Sequence, residues 1–146
     1  MRLGKALAEG LASAGASVIV HCHRSEGAAQ SVAAGIAERG GRAKVLAADA
    51  GEPARWWDGA FFDAILLDAP CTASGIVRRH PDVRWLRRES DVDQLATVQA
   101  RLLNTLWPLL RPGGRLLYCT CSVFRAEGSQ QIKAFVANNT HAVHLP

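Results

Sequence analysis

Short apolar runs that stop abruptly at polar or nucleophilic residues recur along this chain of 146 residues, and segments of helical period separate them. Ile65-Leu66-Leu67 halts at Asp68-Ala69-Pro70-Cys71, and the run through Tyr118 halts at Cys119-Thr120-Cys121-Ser122. Val18-Ile19-Val20 and Lys44-Val45-Leu46-Ala47-Ala48 are two further runs, ending at His21 and Asp49. Runs this short with flanking turn residues read as buried strands of a parallel sheet. Between them, Leu3, Leu7 and Leu11 fall on one helical face within residues 3–14. Ser25 is placed to cap a helix reaching Glu38, with Val32 and Ile36 on one side. Asp91 is placed to cap a helix in which Leu95, Val98, Leu102, Leu106 and Leu109 recur every three or four residues. A last helix from about Glu127 to Ala137 turns Ile132, Phe135 and Val136 inward.

The resulting order, α-β-α-β-β-α-β-α, implies an α/β fold with a Rossmann-like parallel sheet and helices on both faces, in a single domain spanning 1–146. A doubly wound sheet of this kind opens with a strand and a glycine-rich turn before its first helix. Here the chain starts inside that helix, with Gly4 alone where such a turn would end, so the expected fold is incomplete. In such sheets the site lies beyond the carboxyl ends of the strands, which brings Asp68, Cys71 and Cys121 to one edge.

The net charge of +4 is local: Arg78, Arg79, Arg84, Arg87 and Arg88 stand against Asp82 within one segment, and the rest of the chain balances. Local basicity is the footprint of a polyanion. Trp85, inside that segment, could stack on a base, but is expected to anchor the segment to the core. No run approaches the roughly 20 apolar residues of a membrane span, and no apolar leader follows Met1 and Arg2. Cys119 and Cys121, one residue apart, make a poor disulfide or zinc pair. Cys22 and Cys119 read as small buried hydrophobes. His21 and His23 lack an evident third metal ligand. Reduced thiols in a cytoplasmic protein without a metal are therefore expected.

From Ala47 to about Ala137 the sequence resembles the RsmB-type ribosomal RNA cytosine-5 methyltransferases. The resemblance rests on Asp68-Ala69-Pro70-Cys71, Gly75-Ile76-Val77-Arg78-Arg79-His80-Pro81-Asp82, Trp85-Leu86-Arg87-Arg88, Thr120-Cys121-Ser122 and Gln131-Ile132-Lys133-Ala134-Phe135. Residues 2–46 resemble instead a short-chain dehydrogenase/reductase, through Leu3-Gly4-Lys5-Ala6-Leu7-Ala8, Gly15-Ala16-Ser17-Val18-Ile19-Val20 and Gly40-Gly41-Arg42-Ala43. A join near residues 47–50 is expected on that basis.

The first resemblance implies S-adenosylmethionine as methyl donor and small-subunit (16S) ribosomal RNA as partner. It assigns Cys121 as the nucleophile that adds to cytosine carbon 6. It places Cys71 at removal of the carbon-5 proton, Asp68 against the base or the donor, and Asp49 against the donor's adenosine. Arg78, Arg79, Arg84, Arg87 and Arg88 would grip RNA phosphates. The sequence also departs from the family. Its Pro-Gly-Gly-Lys donor loop is not present, His21-Cys22-His23-Arg24 stands in place of an acid, and Gly128 stands in place of Asn. The final strands and the N-terminal RNA-binding extension are not present either. Weak or absent methyl transfer by this chain is therefore expected. The alternatives are a non-catalytic RNA-binding module, an NADP-binding remnant of a reductase, for which Arg24 would meet the 2′-phosphate, and an inert fragment. A reductase would need Lys four residues after Tyr118, where Ser122 stands.

Overall fold

The computed structural model describes residues 3–145, with the side chain of Leu3 excepted. Met1, Arg2 and Pro146 lie outside the described residues, as does the expected inward packing of Leu3. The chain divides into two compact units, one ending at Asp58 and one beginning at Gly59. Residues 47–50 lie inside the first.

In the first unit, α1 (Leu3–Ser13) is followed by β1 (Ser17–Cys22), α2 (Glu26–Glu38) and β2 (Arg42–Ala47). β1 and β2 pair in parallel, Ser17 beside Arg42 and Cys22 beside Ala47, with α2 as the crossover. Ser25 does occupy the cap position of α2, but its side chain makes no capping bond. Its carbonyl instead accepts from the N–H groups of Ala28 and Ala29. The expected apolar face of α1 is not the buried one: Leu11 is 48% exposed, whereas Ala12 is buried. The reason is the close approach of α1 to the end of α2. There Ala12 abuts Ile36 and Gly41, and Glu9 pairs with Arg39 at 2.8 Å. A small side chain fits that contact and a leucine does not.

In the second unit, β3 (Phe62–Asp68) runs parallel to β4 (Leu110–Cys119). They are linked by the short α3 (Val83–Leu86) and the long α4 (Glu89–Leu106), and α5 (Ser129–Asn138) follows β4. Residues 111–114 are a bulge within β4. Phe62 pairs with Leu110, but Ala64 pairs with Arg115, so the extra residues loop out of the ladder. Gly113 takes a left-handed φ of 76° there, which glycine adopts without strain. α4 begins two residues before Asp91. The Asp91 carboxylate accepts the Arg88 N–H at 3.0 Å from the third helical position, satisfying a terminal N–H from inside the helix. Of the expected apolar stripe, Leu102, Leu106 and Leu109 are buried with Leu67 and Phe135, Leu95 and Val98 are half-buried, and Leu103, outside the stripe, is buried as well. Trp107 meets Phe135 edge to face at 5.4 Å.

The structure is thus a partial Rossmann-like fold of parallel βαβ units, its strands in two two-stranded sheets, β1-β2 and β3-β4. Among the described residues no helix is long and apolar enough to cross a membrane.

Candidate active site

β3 and β4 end in step. Asp68 lies opposite Cys119, and the Ala69 N–H donates to the Cys119 carbonyl at 3.0 Å. The next residues of each strand therefore leave the sheet side by side. Pro70-Cys71 departs from one and Thr120-Cys121 from the other, bringing the Cys71 and Cys121 sulfurs to 3.3 Å from each other. Asp68 stands at the same end, its Oδ1 3.8 Å from the Cys119 thiol, which also points at the Leu67 carbonyl at 3.6 Å. Burial pushes the Cys121 thiol up to about 11; the hydrogen bond and charge of Cys71, then the charge of Asp68, act in the same direction. Burial likewise raises Cys119, followed by the Asp68 carboxylate. Any negative charge placed on sulfur here faces a second sulfur and a carboxylate in a site partly stripped of water.

Glu127, which the sequence suggests only as the start of a helix, is a further member of this site. It lies in a 3-10 turn (Arg125–Glu127) just before α5, and it is fully buried at 0% exposure. Its Oε1 accepts the Thr72 N–H at 2.9 Å and the Gln99 amide at 3.0 Å. Its Oε2 accepts the Thr72 and Ser122 hydroxyls, each at 2.5 Å. Burial alone would raise this carboxyl. The hydrogen bonds of Ser122, Thr72 and Gln99 outweigh it and hold the group below the usual carboxylate range. Gln99, also at 0% exposure, donates in addition to the Pro70 carbonyl at 2.8 Å. The Tyr118 hydroxyl bonds the Glu127 carbonyl at 2.8 Å and Gln99 Oε1 at 3.1 Å. No periodicity marks Glu127 as interior: in sequence it stands between Arg125-Ala126 and Gly128-Ser129 in a turn.

Gly75 presses the two loops together. Its N–H donates to the Cys121 carbonyl at 2.8 Å, and a Cβ there would fall 2.7 Å from that oxygen. The Arg-rich segment follows. Arg78, Arg79, Arg84 and Arg88 are exposed. Arg87 is exposed too, but its Nε is committed to the Thr72 carbonyl at 2.9 Å, which ties the segment to the cysteine loop. Trp85 does not anchor the segment to the core: it is 82% exposed and Leu86 is 69% exposed. α3 is a single turn, so it can turn only one side inward, and Val83 takes it.

Asp49 belongs to the first unit. With His23, Ala47, Ala48, Glu52, Arg55 and Trp56 it lines an open cleft of about 440 Å³ beyond the ends of β1 and β2. Asp49 Oδ1 accepts the Gly51 N–H at 2.7 Å, and the Trp56 indole donates to the Asp49 carbonyl at 2.9 Å. His21 Nε2 lies 2.8 Å from the Ala48 carbonyl. Asp49 and Trp56 are the residues of this cleft that could hold an adenosine-like group. The end of β1, His21-Cys22-His23-Arg24, offers no carboxylate for ribose hydroxyls. Among the described residues no group of three His, Cys, Asp or Glu side chains is arranged to hold a metal ion.

A family model described as 16S rRNA methyltransferase RsmB/F matches residues 7–145, and so runs across residues 47–50. The chain is 52% identical over 103 residues to ribosomal RNA small subunit methyltransferase B of Salmonella arizonae, covering 70% of this chain and 24% of that protein. The corresponding protein of Vibrio vulnificus is 50% identical over 101 residues. Among solved structures, that of NSun6 from Pyrococcus horikoshii with SFG superposes with a TM-score of 0.68 at 27% identity, over 84% of this chain and 30% of that one. The promiscuous reductase LugOII superposes with a TM-score of 0.58 at 23% identity, over 91% of this chain and 62% of that one, a likeness of fold alone. The chain spans about a quarter of the length of the curated relatives it matches.

Proposed function

This chain belongs to the RsmB/F family of 16S rRNA methyltransferases, and we propose that it carries the cysteine half of an active site methylating cytosine carbon 5 in small-subunit ribosomal RNA. The observation that supports this reading most is the pair of sulfurs, Cys71 and Cys121, 3.3 Å apart where two parallel strands end together. Cytosine carbon 5 is a poor nucleophile. Addition of the Cys121 thiolate to carbon 6 moves electron density to carbon 5 and makes it reactive. S-adenosylmethionine, when bound, supplies an electrophilic methyl group. Cys71 takes the carbon-5 proton once that carbon is substituted, the ring double bond re-forms, and the carbon–sulfur bond to Cys121 breaks. Asp68 orients the base or the donor by hydrogen bonding. Asp49 and Trp56 would hold the donor's adenosine.

Arg78, Arg79, Arg84 and Arg88 supply phosphate contacts, with Arg87 positioned by its bond to the Thr72 carbonyl. The target base must leave its stack to reach the sulfurs. Methyl transfer by this chain alone is weak or absent, because His21-Cys22-His23-Arg24 stands in place of the acid after β1. A reading as a non-catalytic RNA-binding module is favoured by the exposed Trp85 among the arginines.

The test is covalent capture. RNA carrying 5-fluorocytidine has no carbon-5 proton to release, so the adduct persists. The expected result is a denaturation-stable complex that forms with S-adenosylmethionine present and is lost in Cys121→Ala. RNA binding without any adduct, and without a thermal shift by S-adenosylmethionine, would establish the binding-module reading instead. A parallel titration with NADPH tests the reductase remnant, and stabilisation by NADPH alone would overturn the methyl-donor assignment.

A further inference from the structure

A buried carboxylate is costly unless every lone pair is served, and Glu127 has four donors on its two oxygens. No Arg or Lys pairs with it among the described residues. Those donors are not scattered. Thr72 follows Cys71, and it is held both by its peptide N–H and by its hydroxyl. Ser122 follows Cys121, and its hydroxyl also accepts the Phe124 N–H at 3.1 Å. Gln99 joins Glu127 to the carbonyl of Pro70, the residue before Cys71. Glu127 thus grips the loop of Cys71 directly at Thr72 and through Gln99 at Pro70, and the loop of Cys121 at Ser122. Tyr118 fixes the backbone of Glu127 and the far end of Gln99.

We propose that Glu127 is a positioning residue: by holding Thr72 and Ser122 at once, its carboxylate sets the separation of the Cys71 and Cys121 sulfurs. Its consequence for methyl transfer rests on the cysteine reading above, but the separation itself does not. The carboxylate touches neither sulfur in its hydrogen bonds, so it acts through the two peptides that carry them. Core packing is supplied elsewhere, by Leu103 and Phe135 among others, so loss of the carboxylate should loosen the sulfur pair before it unfolds the unit.

The sulfur separation has a readout that needs no RNA. In glutathione buffers one cysteine thiolate attacks glutathione disulfide, releasing one glutathione. The second thiolate then attacks the mixed disulfide and releases another, leaving a Cys71–Cys121 disulfide. The equilibrium constant measures the effective concentration of one thiol at the other. It would be measured by mass spectrometry of the full chain in a Cys119→Ala background. Glu127→Gln keeps the size of the side chain but turns an amide N–H₂ toward groups that are themselves donors. It is expected to lower the constant roughly tenfold or more. Thr72→Val keeps the carboxylate and removes one arm, and is expected to give a smaller loss of the same sign. Glu127→Asp, which keeps the charge but shortens the reach, should restore part of it.

In the covalent-capture assay the matching expectation is slower adduct formation by Glu127→Gln with affinity for RNA unchanged. A disulfide constant within about twofold of the parent in folded Glu127→Gln would overturn the proposal. If that variant fails to fold, Thr72→Val decides alone, an unchanged constant there overturning it. No adduct of the parent chain with 5-fluorocytidine RNA, with the disulfide constants shifted as expected, would count against the function proposed above and leave the role of Glu127 standing.

Discussion

Cys121 combines an exposed position with a thiol held high, about 11 against an ordinary 9.0, by burial of its sulfur and then by Cys71. Thiolate, not thiol, is the nucleophile, so at neutral pH this residue rests protonated. Alkylation of Cys121 by iodoacetamide should therefore accelerate with pH up to a midpoint near 11. In Cys71→Ala the hydrogen bond and charge that raise the thiol are gone, and the midpoint should move down. A midpoint unchanged by Cys71→Ala would mean the sulfurs are not in contact in solution. The linkage to stability has a definite sign. A folded-state value above the unfolded one favours the folded form while the thiol is protonated. That contribution is complete below pH 9.0 and is lost as pH rises through 11. Glu127 is the opposite case: its lowered value contributes stability above the ordinary carboxyl value of 4.5, lost as pH falls through the folded value.

At the scale of elements, the cysteine pair depends on three structures meeting: the ends of β3 and β4, and the 3-10 turn Ser74–Ile76. Gly75 is the contact point, since any Cβ would lie 2.7 Å from the Cys121 carbonyl, a backbone atom with little room to yield. Gly75→Ala should destabilise the second unit by about 1–3 kcal/mol, the usual cost of overpacking. It should also reduce Cys121 adduct formation by more than the loss of folded protein explains. Thermal unfolding and covalent capture measured on the same sample check both parts. The bulge at residues 111–114 serves the same end. It absorbs extra residues early in β4, so that the register from Ala64–Arg115 to Asp68–Cys119 brings both strands to their carboxyl ends together.

For the molecule as a whole, charge decides what can approach. The net +4 equals the balance of the segment from Arg78 to Arg88, so attraction to a polyanion is concentrated beside the cysteines. If these arginines meet phosphates of a single strand, the slope of log affinity against log salt falls by about 0.7 for each contact removed. Arg78→Ala with Arg79→Ala should flatten it by about 1.4. Trp85→Ala should weaken binding by about 1–3 kcal/mol, a stacking loss, with the slope unchanged. Fluorescence anisotropy across a salt series separates the two. A slope insensitive to the arginines would make the segment an ordinary solvated surface.

Much of this molecule follows from its sequence alone. Four apolar runs and the intervening helical periods specify parallel βαβ units, because side-chain period and run length are local properties that burial must respect. The stops at Asp68-Ala69-Pro70-Cys71 and Thr120-Cys121-Ser122 place two thiols and a carboxylate at strand ends for the same reason. What the tertiary structure alone decides is non-local. Glu127 is a buried clamp because donors 55, 28 and 5 residues away converge on it, and no local pattern records such convergence. Leu11 lies outward and Ala12 inward because the spacing of α1 and α2, not the apolar character of the residue, sets what fits. Trp85 is exposed because a one-turn helix has too little inner face to hide it. Sequence period names a face, but only the distance to the neighbouring element determines which side chain can fill it.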